Sequence, residues 1–244
     1  MFKKKIYIPD SKIPFKLSRT KIDLYFECKR CFFLDQKLGI KRPHGAPLVL
    51  NNKIVNDFKN ELNFCRTEKK SHPEIIKIKK SFVPIQHSKI DDWKNSFKGV
   101  GFYHKETNFF IYGIIDDVWK DLNTNLNHSV IIKTTSRSDE LSFDNIWSGY
   151  WRQLSLYSFL LSKNLLSMSK TGLLIYINLP KNLKNSDKET TYTLNLFEKI
   201  LDFNWIEVTL REIYSTLNQS KPPMNSRRCK YCNYYFNIKN MTNE

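Results

Sequence analysis

Several residue types and patterns that define whole classes of protein are scarce in this sequence. Its 244 residues include only 7 glycines and 9 prolines, which excludes collagen-like and low-complexity chains. No apolar run approaches the roughly 18 residues that a membrane span requires. Residues 1–7 lack the apolar stretch and the small-residue cleavage site of a signal peptide. We therefore expect a cytoplasmic protein without a membrane partner.

Apolar and aromatic residues are plentiful by comparison. Hydrophobic residues make up 41% of the chain and aromatic residues 14%, which is enough to form a core and excludes a disordered chain. The length favours one large domain, and we expect residues 1–244 to form a single domain.

Acidic residues are few relative to basic ones, and the imbalance is uneven along the chain. There are 24 Asp and Glu against 40 Lys and Arg, a net charge of +16. Residues 1–42 hold 12 basic and 4 acidic residues, and residues 220–244 hold 5 and 1. Such an excess favours a polyanionic partner such as nucleic acid. The alternative is a lysine-rich composition that gives a solvated surface with no partner.

The spacing of apolar residues predicts an alternation of helices and strands. Helices are expected over residues 18–38, 52–66, 142–163 and 203–218, and strands over 98–104, 107–119, 129–135, 171–179 and 190–197. The first three strands follow one another closely, which predicts an antiparallel meander with Asp116 and Asp117 at the end of its middle strand. The order of elements predicts an α/β (α+β) fold with a central mixed sheet flanked by helices.

Four of the five cysteines form two pairs with the spacing of metal ligands: Cys28, Cys31, Cys229 and Cys232. A two-residue spacing lets both thiolates of a pair reach one metal ion. We expect residues 18–42 and 221–236, here called the cysteine clasp, to be joined by a metal held by all four. The alternative is that these cysteines are buried apolar residues. Cys65 is expected to pack within its own helix.

Three segments in the middle of the chain carry a resemblance to a known family. Gly113-Ile-Ile-Asp116 on one strand, Lys133 on the next and Gln153-Leu-Ser-Leu-Tyr157 on the following helix resemble the PD-(D/E)XK nuclease superfamily. Within it, the order is similar to the RecB-like group that includes the CRISPR-associated exonucleases. The segments IDLYFECKRCFFLDQKLGIKRP and CKYC are similar to the two ends of bacterial members with CxxC at both ends. The resemblance implies a restriction-endonuclease-like core.

The resemblance also implies a site for phosphodiester hydrolysis. In this family, carboxylates hold Mg or Mn, and a lysine stabilises charge on the attacked phosphate. Asp116 matches the metal-binding aspartate, Glu61 matches an acidic position on a helix, and Lys133 matches the lysine. Gln153 and Tyr157 match the motif that lines the site and holds the nucleic acid.

One position departs from the family motif. The family has an acid two residues before the lysine, whereas this chain reads Ile131-Ile132-Lys133, and isoleucine cannot bind a hard cation. Either catalysis is lost or another carboxylate substitutes, the candidates being Asp117, Asp57 and Glu61. Three functions stay open: a DNA-binding exonuclease or endonuclease, an inactive nuclease-fold module that binds nucleic acid or assembles a DNA-processing complex, and a zinc-stapled protein without a nucleic-acid role.

The cysteine clasp is the predicted place of a cofactor and of DNA. The resemblance implies a 4Fe-4S cluster, but most relatives with that cluster place one cysteine at the start and three at the end, so the two-and-two pattern keeps zinc as an alternative. Basic residues interleave with aromatic ones there, as in proteins that bind single strands. The predicted DNA contacts, to single strands or duplex ends, are Arg227, Arg228, Lys230, Lys29 and Arg30. The alternative is that the aromatic rings cover the metal and the charges are solvated.

Overall fold

The computed structural model describes residues 6–43, 51–135, 142–164, 166–178 and 193–242. The helices are α1 (Arg19–Glu27), α2 (Lys29–Gln36), α3 (Asn51–Thr67), α4 (Pro73–Lys77), α5 (Ile90–Lys94), α6 (Ser148–Lys163), α7 (Asn204–Asn218) and α8 (Lys230–Thr242). The strands are β1 (Phe15–Ser18), β2 (Phe82–Pro84), β3 (Val100–His104), β4 (Phe109–Gly113), β5 (Asp117–Asp121), β6 (Asn127–Thr135), β7 (Thr171–Asn178) and β8 (Thr193–Ile200). The fold is α+β, as predicted, with two mixed sheets flanked by helices. Residues 179 and 190–192 of two predicted strands lie outside the described residues.

The first of two compact units combines both ends of the chain with a short central segment: Met1–Ala46, Gly101–Tyr112 and Asn204–Glu244. Its sheet has the order β1-β4-β3, and β1 runs parallel to β4. Leu17 on β1 lies opposite Ile111 on β4, and both are fully buried. The rings of Tyr7, Phe15 and Phe109 meet edge to face beside this sheet. The prediction of a single domain over the whole chain stays a prediction.

The second unit comprises Pro47–Val100 and Gly113–Phe203, and its sheet has the order β2-β5-β6-β7-β8. Only β6 and β7, which α6 connects, are parallel; the other neighbours are antiparallel. Ile132 of β6 packs in a core with Phe58 and Leu62 of α3. Because side chains alternate along a strand, Ile131 and Ser129 lie on the opposite face from Ile132. On that face, Ser129 Oγ is 2.6 Å from Ser158 Oγ of α6. Helices therefore cover both faces of this sheet. Among the described residues, none of the helices has the length and apolar character needed to cross a membrane.

The predicted three-stranded meander is wrong. The expected strand 107–119 divides into β4 and β5, which belong to different sheets. Ile115 lies between the two strands and is buried although it belongs to neither. The alternation of apolar residues in the sequence therefore continues across the break, and the pattern does not show where β4 ends and β5 begins. The backbones of Gly99 and Gly113 approach so closely at the end of β4 that a Cβ on Gly99 would lie 2.5 Å from the Gly113 carbonyl oxygen. Asp117 consequently begins a strand, and Asp116 precedes it.

A buried ion pair links α3 to the first residue of β5. The Arg66 guanidinium donates to Asp117 Oδ1, and its Nε donates to the Ile85 carbonyl at 2.8 Å. The Asp117 side chain is fully buried, so it depends on this partner for compensation of its charge.

Replacing Arg66 by methionine is expected to lower the free energy of unfolding by about 3 kcal/mol, because the Asp117 carboxylate is then buried without a cation. The double variant Arg66→Met, Asp117→Leu is expected to recover most of that loss. Urea unfolding followed by circular dichroism measures both. Equal stability of wild type and Arg66→Met would show that Asp117 does not need the pair.

Candidate functional site

The cysteine cluster is built from a helix break and two helix ends in the first unit. The predicted continuous helix 18–38 is wrong: Cys28 is extended, with φ −164° and ψ 107°, and separates α1 from α2. Its N–H still donates to the Leu24 carbonyl at 2.9 Å, and its Sγ accepts from the backbone N–H of Cys31 at 3.5 Å. Cys28 thus caps both helices, which turns its thiol toward that of Cys31.

The four predicted cysteines meet, and they are buried. Cys31 Sγ lies 3.5 Å from Cys229 Sγ and 3.4 Å from Cys232 Sγ, and Cys28 Sγ lies 3.8 Å from Cys232 Sγ. All four sulfurs lie within 4.8 Å of one another. Leu24 and Phe236 pack against the cluster. Four cysteines are therefore close enough to bind a metal ion, as zinc or iron-sulfur centres require.

The thiols of the cluster have divergent pKa values. Burial opposes ionisation of Cys28, but hydrogen bonds from the backbone of Cys31 and Ser226 outweigh it and lower the Cys28 pKa to about 7. Burial raises the pKa of Cys31 and of Cys232. Without a cation among them, four neighbouring thiols cannot all ionise, because each new thiolate repels the last. A bound metal cation removes that obstacle, since thiolates are its ligands.

The predicted DNA-binding cations surround the cluster in different ways. Arg227, Arg228 and Lys230 are exposed. Lys29 is exposed as well and lies 3.1 Å from Glu212, whereas Arg30 is half-buried and its guanidinium stands 5.3 Å from the ring centre of Phe236. Four of the five cations are therefore exposed at the surface, and Lys29 and Arg30 contact neighbouring side chains of the same unit.

Helix α8 carries apolar and aromatic residues both on its buried side and on its exposed side. Cys232 and Phe236, four residues apart, face the cluster. On the other side, an exposed row spaced three and four residues apart consists of Tyr231, Tyr234, Tyr235 and Ile238, here called the tyrosine stripe. The exposed fraction of Tyr234 reaches 70%. A helix with its apolar residues confined to the core would not present three tyrosines to solvent.

Arg42 joins the cluster to the tyrosine stripe. Its guanidinium donates to Cys229 Sγ at 3.5 Å and to Glu27 at 2.6 Å, and it stands 4.8 Å from the ring centre of Tyr231. Both segments of the cysteine clasp therefore meet at this side chain as well as at the sulfurs.

The nuclease-like residues lie in the second unit. Asp116 accepts a hydrogen bond from Lys59 Nζ at 2.7 Å through Oδ1 and from the backbone N–H of Ile132 at 3.1 Å through Oδ2. Glu61 pairs with His72, Oε2 to Nε2, at 2.8 Å. Among the described residues, the four cysteines are the one group of three or more cysteine, histidine or acidic side chains able to hold a metal.

The remaining predicted site residues lie on β6 and α6. The Lys133 ammonium stands 5.0 Å from the ring centre of Tyr150. Gln153 donates to Tyr157 Oη at 2.9 Å, and both side chains are buried. Ile131 is fully buried, so the position that carries an acid in the resembled family is part of the core here. The exposed Asp57 has no part in these contacts.

Sequence reasoning missed Lys59, which contacts Asp116. A signal for it exists, because Lys59 and Arg66 are seven residues apart on α3 and so lie on one side of the helix. Asp116 and Asp117 are adjacent in the chain, and both contact cations on that side.

A scan against protein-family models finds no match for this chain, and a search of curated proteins finds none either. The resemblance to the PD-(D/E)XK nucleases therefore rests on the residues named above and stays a prediction.

Replacing Cys232 by serine is expected to remove stoichiometric metal and to lower the free energy of unfolding by several kcal/mol, because metal binding and folding are coupled at such sites. Cys65→Ser is the matched control: Cys65 is also a buried cysteine, but it belongs to α3 of the second unit. Elemental analysis and urea unfolding measure the two effects. An unchanged metal content in Cys232→Ser would show that the cluster does not bind the metal.

Proposed function

We propose that this protein binds DNA through its first unit without cutting it, and that one metal ion at the cysteine cluster holds the binding surface together. It would be an inactive member of the RecB-like PD-(D/E)XK nucleases. The observation that carries the proposal is the two-sided helix α8, which packs its cysteine against the cluster while it exposes the tyrosine stripe.

The surroundings of the tyrosine stripe support DNA as the ligand. Arg227 and Arg228 lie just before α8 and Lys230 is its first residue; all three are exposed, so they can contact phosphates. Exposed aromatic rings stack on unpaired bases whatever the sequence, and each stack contributes about 1–3 kcal/mol. The combination favours single-stranded DNA over duplex, because the bases of a duplex are already stacked on one another.

The second unit supports the nuclease resemblance in its chain order. Asp116 directly precedes β5, Lys133 lies on the neighbouring strand β6, and Gln153 and Tyr157 lie on α6, which packs against β6 and β7. The same unit supports the loss of cleavage. Mg and Mn need several oxygen ligands, whereas Ile131 offers none and both oxygens of Asp116 have protein partners.

The sulfur geometry supports one ion rather than a 4Fe-4S cluster. Sulfurs at the corners of a tetrahedron around zinc, with bonds of about 2.3 Å, lie about 3.8 Å apart. The separations of Cys31 from Cys232, of Cys31 from Cys229 and of Cys28 from Cys232 are 3.4, 3.5 and 3.8 Å, and none of the six exceeds 4.8 Å. In a 4Fe-4S cluster, each cysteine binds a different iron, which spreads the sulfurs to roughly 6 Å. We therefore propose zinc as the ion.

Protein purified without oxygen is expected to contain one zinc ion per chain and to be colourless, because zinc has a filled d shell. Elemental analysis and a visible absorption spectrum measure this. Four irons with inorganic sulfide and a brown colour would contradict zinc while leaving the four cysteines as ligands.

Reversing three charges at the start of α8, in Arg227→Glu, Arg228→Glu, Lys230→Glu, is expected to weaken binding to labelled single-stranded DNA more than tenfold. The slope of log affinity against log salt should fall by about 2, since each lost phosphate contact removes about 0.7. The matched control reverses three exposed lysines of the second unit, Lys69, Lys79 and Lys89, and should bind as wild type does. Fluorescence anisotropy measures all three proteins.

Two results would overturn this function. An affinity for single-stranded DNA that both triple variants retain would remove the clasp as the binding surface. Cleavage of labelled DNA with Mg or Mn that is lost in Asp116→Ala would make the protein a nuclease.

A further inference from the structure

The carboxylate of Asp116 accepts a hydrogen bond from the backbone of β6, just beyond the last residue pair of β5 and β6. The pairing of β5 with β6 ends at Asp117 and Val130. Beyond this pair, a backbone N–H of β6 that is directed toward β5 has no residue of β5 opposite it. That donor is the N–H of Ile132, and it donates to Asp116 Oδ2 at 3.1 Å. Because this bond fixes the direction of the carboxylate, the other oxygen is presented to α3.

A protein cation occupies the place that this second oxygen faces. Lys59 Nζ lies 2.7 Å from Asp116 Oδ1, and the two side chains are 29% and 20% exposed. Partial burial strengthens such a pair relative to one in open water. The neighbouring carboxylate, Asp117, is paired with Arg66 one heptad further along α3. A single face of α3 thus supplies a cation to each aspartate.

The residues around Asp116 do not fit a divalent ion. Magnesium demands about six oxygen ligands in near-octahedral geometry, and manganese at such sites also relies on carboxylates. Ile131 contributes no oxygen, and Glu61 Oε2 binds His72. Within the described segments, Asp116 is not part of any group of three potential ligands.

We propose that Lys59 takes the place of the divalent cation at Asp116, so that an internal ion pair closes the nuclease-like site against Mg and Mn. This inference rests on the proposed loss of cleavage and adds its physical cause. Lys59 acts as a positioning residue here, since it neutralises Asp116 and holds it against β6 without contact to any substrate. The negative charge of Asp116 is then compensated by Lys59 whether or not Mg or Mn is present.

The test is a Mn²⁺ titration of the zinc-loaded protein, followed by electron paramagnetic resonance. Wild type and Asp116→Asn are expected to give the same isotherm, because Asp116 takes no metal. Lys59→Glu is expected to create one new site, at least tenfold tighter than any in wild type, because a second carboxylate then faces Asp116 where the ammonium stood. The double variant Lys59→Glu, Asp116→Asn should lose that site.

Two results of the Mn²⁺ titration would contradict the role proposed for Lys59. A Mn²⁺ site in wild type that Asp116→Asn removes would overturn the inference, as would a site in Lys59→Glu that survives in the double variant. If Lys59→Glu does not fold, Lys59→Met is used in its place. Mn²⁺ should then raise the urea midpoint of Lys59→Met, but not that of wild type or of the double variant Lys59→Met, Asp116→Asn. Equal responses of the three proteins to Mn²⁺ would overturn the inference. No DNA is present, so failure of DNA binding leaves these results unaffected.

Discussion

The first unit depends on one constraint: four buried thiols, two from each end of the chain, share a space in which all lie within 4.8 Å of one another. Such a space excludes four thiolates without a cation, and four neutral thiols offer only weak hydrogen bonds to one another. A bound metal ion would link the two ends of the chain through all four sulfurs. The break between α1 and α2 lies at this cluster, because the extended Cys28 caps α2 with its Sγ, which accepts from the backbone N–H of Cys31.

Compensation of buried charge organises the second unit in a similar way. Asp116 and Asp117 lie at the start of β5, where β6 continues beyond its pairing with β5. A carboxylate removed from water at such a position needs a cation or several hydrogen bonds. In the resembled nucleases a metal ion meets that need, whereas here Lys59 and Arg66 of α3 contact the two carboxylates. With Ile131 in the core, the two aspartates contact cations of the same unit, while the chain order of Asp116, Lys133, Gln153 and Tyr157 resembles that of the PD-(D/E)XK nucleases.

The sequence predicts the parts that depend on spacing alone. The CxxC pairs indicate the cluster, and apolar periodicity indicates α3, α7 and β6 within a few residues, as well as the end of α6, which begins six residues later than predicted. It does not predict the break at Cys28, because a cysteine in a helical apolar pattern looks the same whether it continues the helix or caps the next one. The division between β4 and β5 is hidden for a similar reason, since the buried Ile115 continues the alternation. The spacing of Lys59 and Arg66 places both on one side of α3, but it does not reveal the contact of Lys59 with Asp116, which lies 57 positions away.

The division of the chain into segments sets an order of assembly. The second unit is interrupted only by residues 101–112, whereas the first needs the start of the chain, a central hairpin and everything from Asn204 onward. Cys31 and Cys229, whose sulfurs are 3.5 Å apart, are separated by 198 positions, so closing the cluster carries a large loop entropy. During synthesis α1 and α2 must wait for α8, the last element of the described chain to leave the ribosome. Closure of the cysteine cluster is therefore a late step of folding, and a chain that ends before Cys229 leaves Cys28 and Cys31 without the other two cysteines.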